Sequence, residues 1–399
     1  MIINSLCDTD FYKLTMLQAV LHQSPGVLVR YKFKWRNFND MQLRISMEDF
    51  VGRVKKEIDH LCTLRFEEEE LKFLEDIPYF KRDFIEYLRL LQLNRSYIQC
   101  RYDADNNINI VVEGPWANTI LFEVPVLAII SQLYTENTTQ NKTAWIIEAR
   151  KRLDDKFSIL ESNIQKDESF LFADFGTRRR ADVGWHEELL VNIKENHGRF
   201  ISGTSNVFFA MKHGFKPVGT MAHEYLQAYQ QLGSRLYDFQ KMALQKWADE
   251  YRGDLGIALS DVVGFRAFMK DFDKYFAKLF DGCRHDSGDP VWWVENLIEH
   301  YKRFNIDPKT KHAIFSDGLN FETAINLFRH FNTKINVGFG IGTYLTNDCG
   351  FTAPQIVMKM VECNGQPVAK ISDSTGKSMC EDDAFQNYLS KVIQEKLEQ

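Results

Sequence analysis

The alternation of apolar and polar positions changes character along the chain, and each change marks a different kind of element. Between residues 29 and 38 the period is two. Tyr31, Phe33 and Trp35 fall on one face, and Lys32, Lys34 and Arg36 fall on the other, the pattern of a half-buried strand. The three cations read either as a solvated edge or as a surface for phosphate groups. Two further alternating runs, 97–102 and 108–112, flank Asp105-Asn106-Asn107 and predict a hairpin. Residues 8–22 and 41–94 carry helical spacing. Asp8 or Thr9 is placed to cap the first helix, with Leu14, Leu17, Ala19 and Leu21 on its buried side. The acidic run Glu67–Glu70 reads as a solvated face or a helix start, and residues 117–165 read as long helices.

From about residue 169 the pattern becomes strand, polar loop, helix, repeated. The strand candidates are Phe170–Gly176, Arg199–Gly203, Pro217–Met221, Leu255–Asp261, Gly282–Asp286, His312–Asp317 and Ile335–Gly342, with helices such as Val291–Phe304 and Phe321–Phe331 between them. Such alternation implies parallel strands. The count predicts an irregular parallel β/α barrel, with an open doubly wound sheet as the alternative. In the tail, Ile356–Glu362 and Pro367–Ile371 flank Asn364-Gly365, a second hairpin expected to rejoin the first sheet. The expected α/β organisation is an N-terminal sandwich domain (1–116), a barrel (117–345) and a returning C-terminal segment (346–399).

Composition narrows the function classes. The chain has 399 residues, 44% hydrophobic and 26% charged, with formal net charge −6. That is an ordinary globular balance and carries no basic excess for general nucleic-acid binding. No apolar run reads as a membrane span, and the first residues show no basic segment of a secretory signal. The seven cysteines are odd in number, widely spaced and without a CxxC pair. They are expected to be reduced thiols in a cytoplasmic protein, and the spacing argues against zinc.

The unusual residues follow the C-terminal ends of the predicted barrel strands, where such folds bind ligands. His223 sits where a strand passes into a helix. It reads either as a helix-start residue with a satisfied hydrogen bond or as a catalytic group. Gly338-Phe-Gly-Ile-Gly-Thr343 offers glycines and free N–H groups to a phosphate. Phe175 followed by Arg178, Arg179 and Arg180 suits a flat anionic ring. Arg284-His-Asp-Ser-Gly-Asp289 puts an arginine beside carboxylates that suit ribose hydroxyls or Mg²⁺, and Asp261 and Asp317 add acids to the same rim. Neither GxGxxG opening a helix nor GxxxxGK[ST] occurs.

Taken together, Asp10-Phe-Tyr12-Lys13, Phe175-Gly-Thr-Arg-Arg179, Ser202-Gly-Thr-Ser-Asn206, Gly219-Thr-Met-Ala-His223-Glu224, Arg284-His-Asp-Ser-Gly-Asp289, Phe315-Ser-Asp317, Phe339-Gly-Ile-Gly-Thr343 and Val368-Ala-Lys-Ile-Ser-Asp373 resemble the motif series of the nicotinate phosphoribosyltransferase family, bacterial type. The resemblance implies a type II phosphoribosyltransferase barrel with an N-terminal sandwich, working as a homodimer with shared active sites. The implied reaction makes nicotinate mononucleotide and diphosphate from nicotinate and 5-phosphoribosyl 1-diphosphate, with ATP as co-substrate and Mg²⁺ as cofactor. It is the entry to NAD synthesis from nicotinate.

By the same resemblance, His223 is transiently phosphorylated, with Glu224 a candidate to orient it. Tyr12, from either subunit, and Phe175 sandwich the pyridine, and Arg178 or Arg179 holds its carboxylate. Arg284 and Asp286 bind the phosphoribosyl group, Ser205 and Asp317 join that site, and Gly340, Gly342 and Thr343 hold its 5′-phosphate. Arg36, Lys370 and Lys377 reach the diphosphate. Mg²⁺ comes in with the diphosphate, helped by Asp286 and Asp289. The alternatives are a transferase for nicotinamide or another pyridine without obligatory ATP, and a non-catalytic phosphate-binding barrel.

Overall fold

The computed structural model describes residues 1–40, 43–139, 141–373 and 379–398. Its strands are β1 (Leu28–Trp35), β2 (Ile98–Tyr102), β3 (Ile108–Pro115), β4 (Phe172–Asp174), β5 (Ile201–Thr204), β6 (Arg252–Leu255), β7 (Ile257–Leu259), β8 (Gly282–His285), β9 (His312–Phe315), β10 (Asn336–Ile341), β11 (Ile356–Cys363) and β12 (Gln366–Pro367).

One sheet has the order β12-β11-β1-β3-β2, with every pair antiparallel. The period-two pattern is visible in it. Val29, Tyr31 and Phe33 are buried, Lys32 pairs with Glu381 at 2.5 Å and Lys34 is exposed. The strand stops at Trp35, so Arg36 lies just beyond its end, where its backbone N–H donates to the Gln355 carbonyl at 2.9 Å. The predicted hairpin is β2–β3, paired from Ile98↔Val112 to Tyr102↔Ile108. The tail strands join this sheet as expected, but the last helix, Asp383–Glu398, turns to the other layer, where Lys396 pairs with Asp271 at 2.7 Å.

The second sheet has the order β5-β4-β10-β9-β8-β7, all parallel. Pro217–Met221, expected as a seventh strand, is not one: only Pro217 pairs, as a bridge to Thr204. Proline has no N–H to give a ladder. Gly219 adopts φ 146, and a Cβ there would stand 3.0 Å from the Tyr12 nitrogen, so the backbone passes too close for a side chain. The segment nevertheless bridges the gap between the two edge strands. Val218 N–H donates to the Thr204 carbonyl at 3.0 Å, and Thr220 Oγ1 donates to the Ile257 carbonyl on β7 at 2.8 Å. The barrel is therefore irregular, six strands and one unpaired segment.

The helix Phe11–Gln23 is N-capped by Asp10 without a side-chain hydrogen bond, so neither Asp8 nor Thr9 caps it. Its first ten residues are all buried, polar ones included. Residues 41–94 hold three helices, Met47–Leu61, Glu68–Glu75 and Arg82–Leu90, and the acidic run is a helix start, with a capping box between Glu67 and Glu70. The stretch Trp116–Thr138 is long and apolar enough to cross a membrane by length and composition, and 94% of its most apolar 18-residue window is buried inside the protein. Its helix Glu123–Thr138 joins both layers: Tyr134 packs edge-on to Trp35 of β1, while Gln132 accepts from Val183 N–H at 2.9 Å. All seven cysteines are free thiols.

Candidate active site

A cavity of about 710 Å³ opens at the C-terminal ends of the barrel strands and is roofed by the tail residues 352–360 and Lys370. Tyr12, Arg36, Phe175, Arg178, Arg179, Ser205, His223, Arg284, Asp286, Asp317, Gly340, Gly342, Thr343 and Lys370 all line it. Lys377 lies outside the described residues. Asp289 does not line the cavity: its carboxylate caps the helix Pro290–Arg303, accepting from Trp292 N–H at 2.7 Å, so the expectation that it helps hold a metal is not met here.

His223 is the first residue of the helix His223–Leu232 and is 5% exposed. Its Nε2 lies 2.9 Å from Asp261 Oδ1 and 3.6 Å from Asp286 Oδ2. Asp261, just past β7, is the hub of the cluster. Its other oxygen accepts from Ser287 Oγ at 2.7 Å and meets Lys370 Nζ at 2.9 Å. Asp286 accepts from Ser316 Oγ at 2.8 Å. Burial, reinforced by the Lys370 charge, pushes His223 down to about 4 against the pull of Asp261 and Asp286. Burial opposes ionisation of Asp261, but the contacts from His223 and Lys370 outweigh it and hold the carboxyl well below the usual range. At neutral pH the pair is thus a neutral imidazole on an ionised carboxylate. Because carboxylates only accept, the ring proton sits on Nε2, which leaves a lone pair on Nδ1.

Glu224 does not orient His223. Its carboxylate turns away to Lys13 Nζ at 2.7 Å, and the same ammonium meets Glu123 at 2.6 Å, all three buried. Burial raises Glu224 to about 7, with Glu123 adding to the rise and Lys13 opposing it.

At the other end of the cavity the turn after β4 is fixed from below. Asp174 accepts from Gly176 N–H at 2.9 Å and Thr204 Oγ1 at 2.7 Å, and bonds His186 at 2.8 Å. This sets Phe175 and the arginine run at the rim. The three arginines then part. Arg180 is fully buried and binds Asp8 at 2.7 and 2.6 Å. Arg179 donates from Nε to the Ile356 carbonyl at 3.0 Å, and burial together with Arg178 and Arg36 lowers it to about 10. Arg178 is 38% exposed by side chain, lies 3.5 Å from Asp10 and 3.8 Å from Glu123, and stands 6.0 Å from the Tyr12 ring centroid. Ser205 Oγ donates to Asp10 at 2.7 Å. Gly340 underlies Phe175: a Cβ there would fall 2.4 Å from the ring. Gly342 approaches the Phe175 carbonyl, at 2.9 Å from a notional Cβ.

Among the lining residues to which the sequence reading gave no site role are Glu123, Lys359, Gln227 and Asp10. Glu123 opens an apolar helix and Lys359 sits mid-strand on β11, and neither belongs to a loop motif after a barrel strand. Gln227 lies one turn beyond His223, with its Oε1 buried and unpartnered, and that i, i+4 spacing was the available signal. Asp10 stood in a quoted motif without a role. Arg284, by contrast, is where the loop reading placed it, with Nη1 3.3 Å from the Met221 carbonyl and Nε buried without a partner. His223, Asp261 and Asp286 bring ligand atoms within 4.8 Å of one another, and carboxylate oxygens of this kind suit a hard cation such as Mg²⁺.

Two family models match the chain: the nicotinate phosphoribosyltransferase (NAPRTase) family over residues 170–397 and the NAPRTase N-terminal domain over residues 7–131. The chain is 51% identical over 395 residues to a nicotinate phosphoribosyltransferase of Xanthomonas euvesicatoria, with 98% of each chain covered. It is 50% identical to one of Ralstonia pickettii, covering 98% of this chain and 99% of that one. Among solved structures, nicotinate phosphoribosyltransferase from Vibrio cholerae superposes with a TM-score of 0.92 at 35% identity, covering 98% of this chain and 94% of that one. The enzyme from Porphyromonas gingivalis superposes at 0.90 and 31% identity, covering 98% and 100%.

Proposed function

The chain belongs to the nicotinate phosphoribosyltransferase family, and from that premise we propose that it forms nicotinate mononucleotide with ATP consumed through transient phosphorylation of His223. The nicotinate nitrogen attacks C1′ of 5-phosphoribosyl 1-diphosphate. The C1′–O bond breaks, and its electron pair leaves with the diphosphate. No strong base is required, because the ring nitrogen attacks with its own lone pair.

The observation that carries the ATP step is the His223–Asp261 contact at 2.9 Å. In that step Nδ1 attacks the γ-phosphorus of ATP, the P–O bond to ADP breaks, and the Nε2 proton stays on the ring, where Asp261 stabilises it. Water later cleaves the N–P bond, returning phosphate and free His223. The phosphoryl group adds negative charge to a cavity rich in cations, and so shifts the balance between site conformations that bind substrates differently.

Arg178 and Arg179 receive the nicotinate carboxylate beside Tyr12 and Phe175, all four lining one cavity. This chain's own Tyr12 lines it, and a second copy completing the site in a homodimer is part of the reading. Arg284 and Asp286 take the phosphoribosyl group, Ser205 and Asp317 border it, and Thr343 with Gly342 lies at the 5′-phosphate. Arg36, Lys370 and Lys377 take the diphosphate. Asp286 would hold Mg²⁺ with the diphosphate, and Mg²⁺ would supply neutralisation of the leaving charge. Asp286 also faces the positive charge that develops at C1′.

The test is incubation with γ-labelled ATP, with and without both substrates. The wild type is expected to take up acid-labile, base-stable label and His223→Ala none. Label retained on His223→Ala rejects the histidine, and nicotinamide preferred over nicotinate rejects the substrate.

A further inference from the structure

The cations around the cavity are not equivalent. Arg178 has Asp10 and Glu123 at 3.5 and 3.8 Å, and Lys370 has Asp261 at 2.9 Å. Arg179 and Arg284 each bind a backbone carbonyl. Lys359, on β11, is different. It lines the cavity, yet among the described residues no hydrogen bond or ion pair reaches its side-chain ammonium. Its cross-strand partner shows that the strand does not forbid pairing: Lys32, directly opposite in the β1–β11 register, is held by Glu381.

Lys359 lines the same cavity as Glu123, Asp286, Lys370 and Arg178. Glu123 and Asp286 attract its charge, and Lys370 and Arg178 repel it. Burial, the larger influence, with the two repelling cations brings its ammonium down to about 8. A cation kept in a sheltered site among other cations is a cost to the empty fold unless an anion enters.

We propose that Lys359 is a substrate-binding residue of this site, the cation that with Lys370 clamps the diphosphate of 5-phosphoribosyl 1-diphosphate. A group with several charges relieves the mutual repulsion of Lys359 and Lys370, whereas a single carboxylate can be met by Arg178 and Arg179 alone. The proposal rests on the transferase reading for the identity of the substrate, but the anion chemistry can be tested without turnover.

The experiment titrates inorganic diphosphate with Mg²⁺, and separately nicotinate, into the full-length wild type, Lys359→Gln and Lys359→Arg by calorimetry. Loss of one charge-assisted contact is expected to weaken diphosphate binding about 10- to 100-fold in Lys359→Gln. Lys359→Arg should recover most of that loss, since the charge is kept. Nicotinate affinity should change by less than about threefold, which also shows that the variants are folded. Unchanged diphosphate affinity overturns the proposal, as does a loss confined to nicotinate. If Lys359→Gln does not fold, Lys359→Met takes its place in the same two titrations. Weakened diphosphate binding with nicotinate affinity kept supports the proposal, and unchanged diphosphate binding or a loss confined to nicotinate overturns it. If diphosphate binding depends on Lys359 but the wild type forms no nicotinate mononucleotide, the transferase reading fails and the Lys359 assignment stands. Turnover with Lys359-independent binding gives the reverse.

Discussion

Two buried ionic clusters lie within the same barrel and end in opposite ways. In the first, Asp8 accepts from both terminal nitrogens of Arg180 and from Asn206 Nδ2 at 2.6–2.7 Å. Burial opposes its charge, and Arg180 with Asn206 holds its carboxyl below the ordinary range. Neither Asp8 nor Arg180 lines the cavity. In the second, Asp261 gathers His223, Ser287 and Lys370 in much the same manner. There, however, His223, Asp286 and Lys370 all open on the cavity. Buried charge that faces only other protein groups ties elements together. Buried charge that is matched on all sides but one is held ready for a ligand. Arginine runs and Asp-Ser-Gly loops do not separate the two cases; the direction of the last unmatched face does.

Breaking the closed cluster should show the largest effect, and it should be an effect on stability. Arg180→Met leaves Asp8 charged and buried with only Asn206, at a cost of about 3–5 kcal/mol. Denaturant unfolding should show the midpoint falling by a corresponding amount, while activity per folded molecule stays close to wild type. If activity falls and stability does not, the cluster is not scaffold. Asp286→Asn probes the open cluster and should reverse the pattern. Folding should be little changed, and kcat should fall about 10²–10³-fold, roughly 3–4 kcal/mol of transition-state stabilisation, as read by steady-state formation of nicotinate mononucleotide.

Which cluster a residue joins was only partly legible in the sequence. Strand alternation gave the antiparallel sheet, because period two survives wherever one face is buried, as at Tyr31 and Phe33, and the repeat of strand, loop and helix gave the parallel one. It failed at Pro217–Met221, where the run looks strand-like but Pro217 cannot donate and Gly219 rides on the Tyr12 backbone. His223, Arg284, Asp286 and the Phe175 turn were found because the loops after parallel strands share one rim. Glu224 was only a candidate to orient His223, and Asp261 holds that place instead. Adjacent residues on a helix point about 100° apart, so Glu224 reaches Lys13 while Asp261, 38 positions away, reaches the ring. Lys359 was hidden for a similar reason. A lysine in an alternating strand looks solvated, and only the packing of β11 over the barrel mouth puts it inside.

The open cluster also predicts a pH dependence. His223 is lowered to about 4 in the folded protein, from its ordinary 6.5. Between those values the unfolded chain binds the proton that the folded chain refuses, so stability falls as pH drops from about 6.5 toward 4. The contribution is up to about 1.4 kcal/mol per pH unit, about 3 kcal/mol over the window. Urea unfolding of the wild type and His223→Gln at several pH values should show a shallower slope in the variant. Equal slopes would mean that His223 titrates normally and that burial does not keep its imidazole neutral.

The smallest effect expected is at Gly340, and it sharpens the comparison within the site itself. The glycine-rich strand end reads from sequence as a phosphate cradle, but the ring of Phe175 lies over Gly340 so closely that an added Cβ would be 2.4–2.5 Å from two ring carbons. Ring carbons cannot yield at that distance without turning the whole aromatic, since interiors are close-packed. In Gly340→Ala the ring is pushed into the cavity or aside, and the face offered to the pyridine is displaced. Nicotinate affinity should fall about tenfold, near 1.4 kcal/mol, while affinity for 5-phosphoribosyl 1-diphosphate changes less than about twofold, with both measured by calorimetry. The reverse split would make Gly340 a phosphate contact and leave the Phe175 ring indifferent to what lies beneath it.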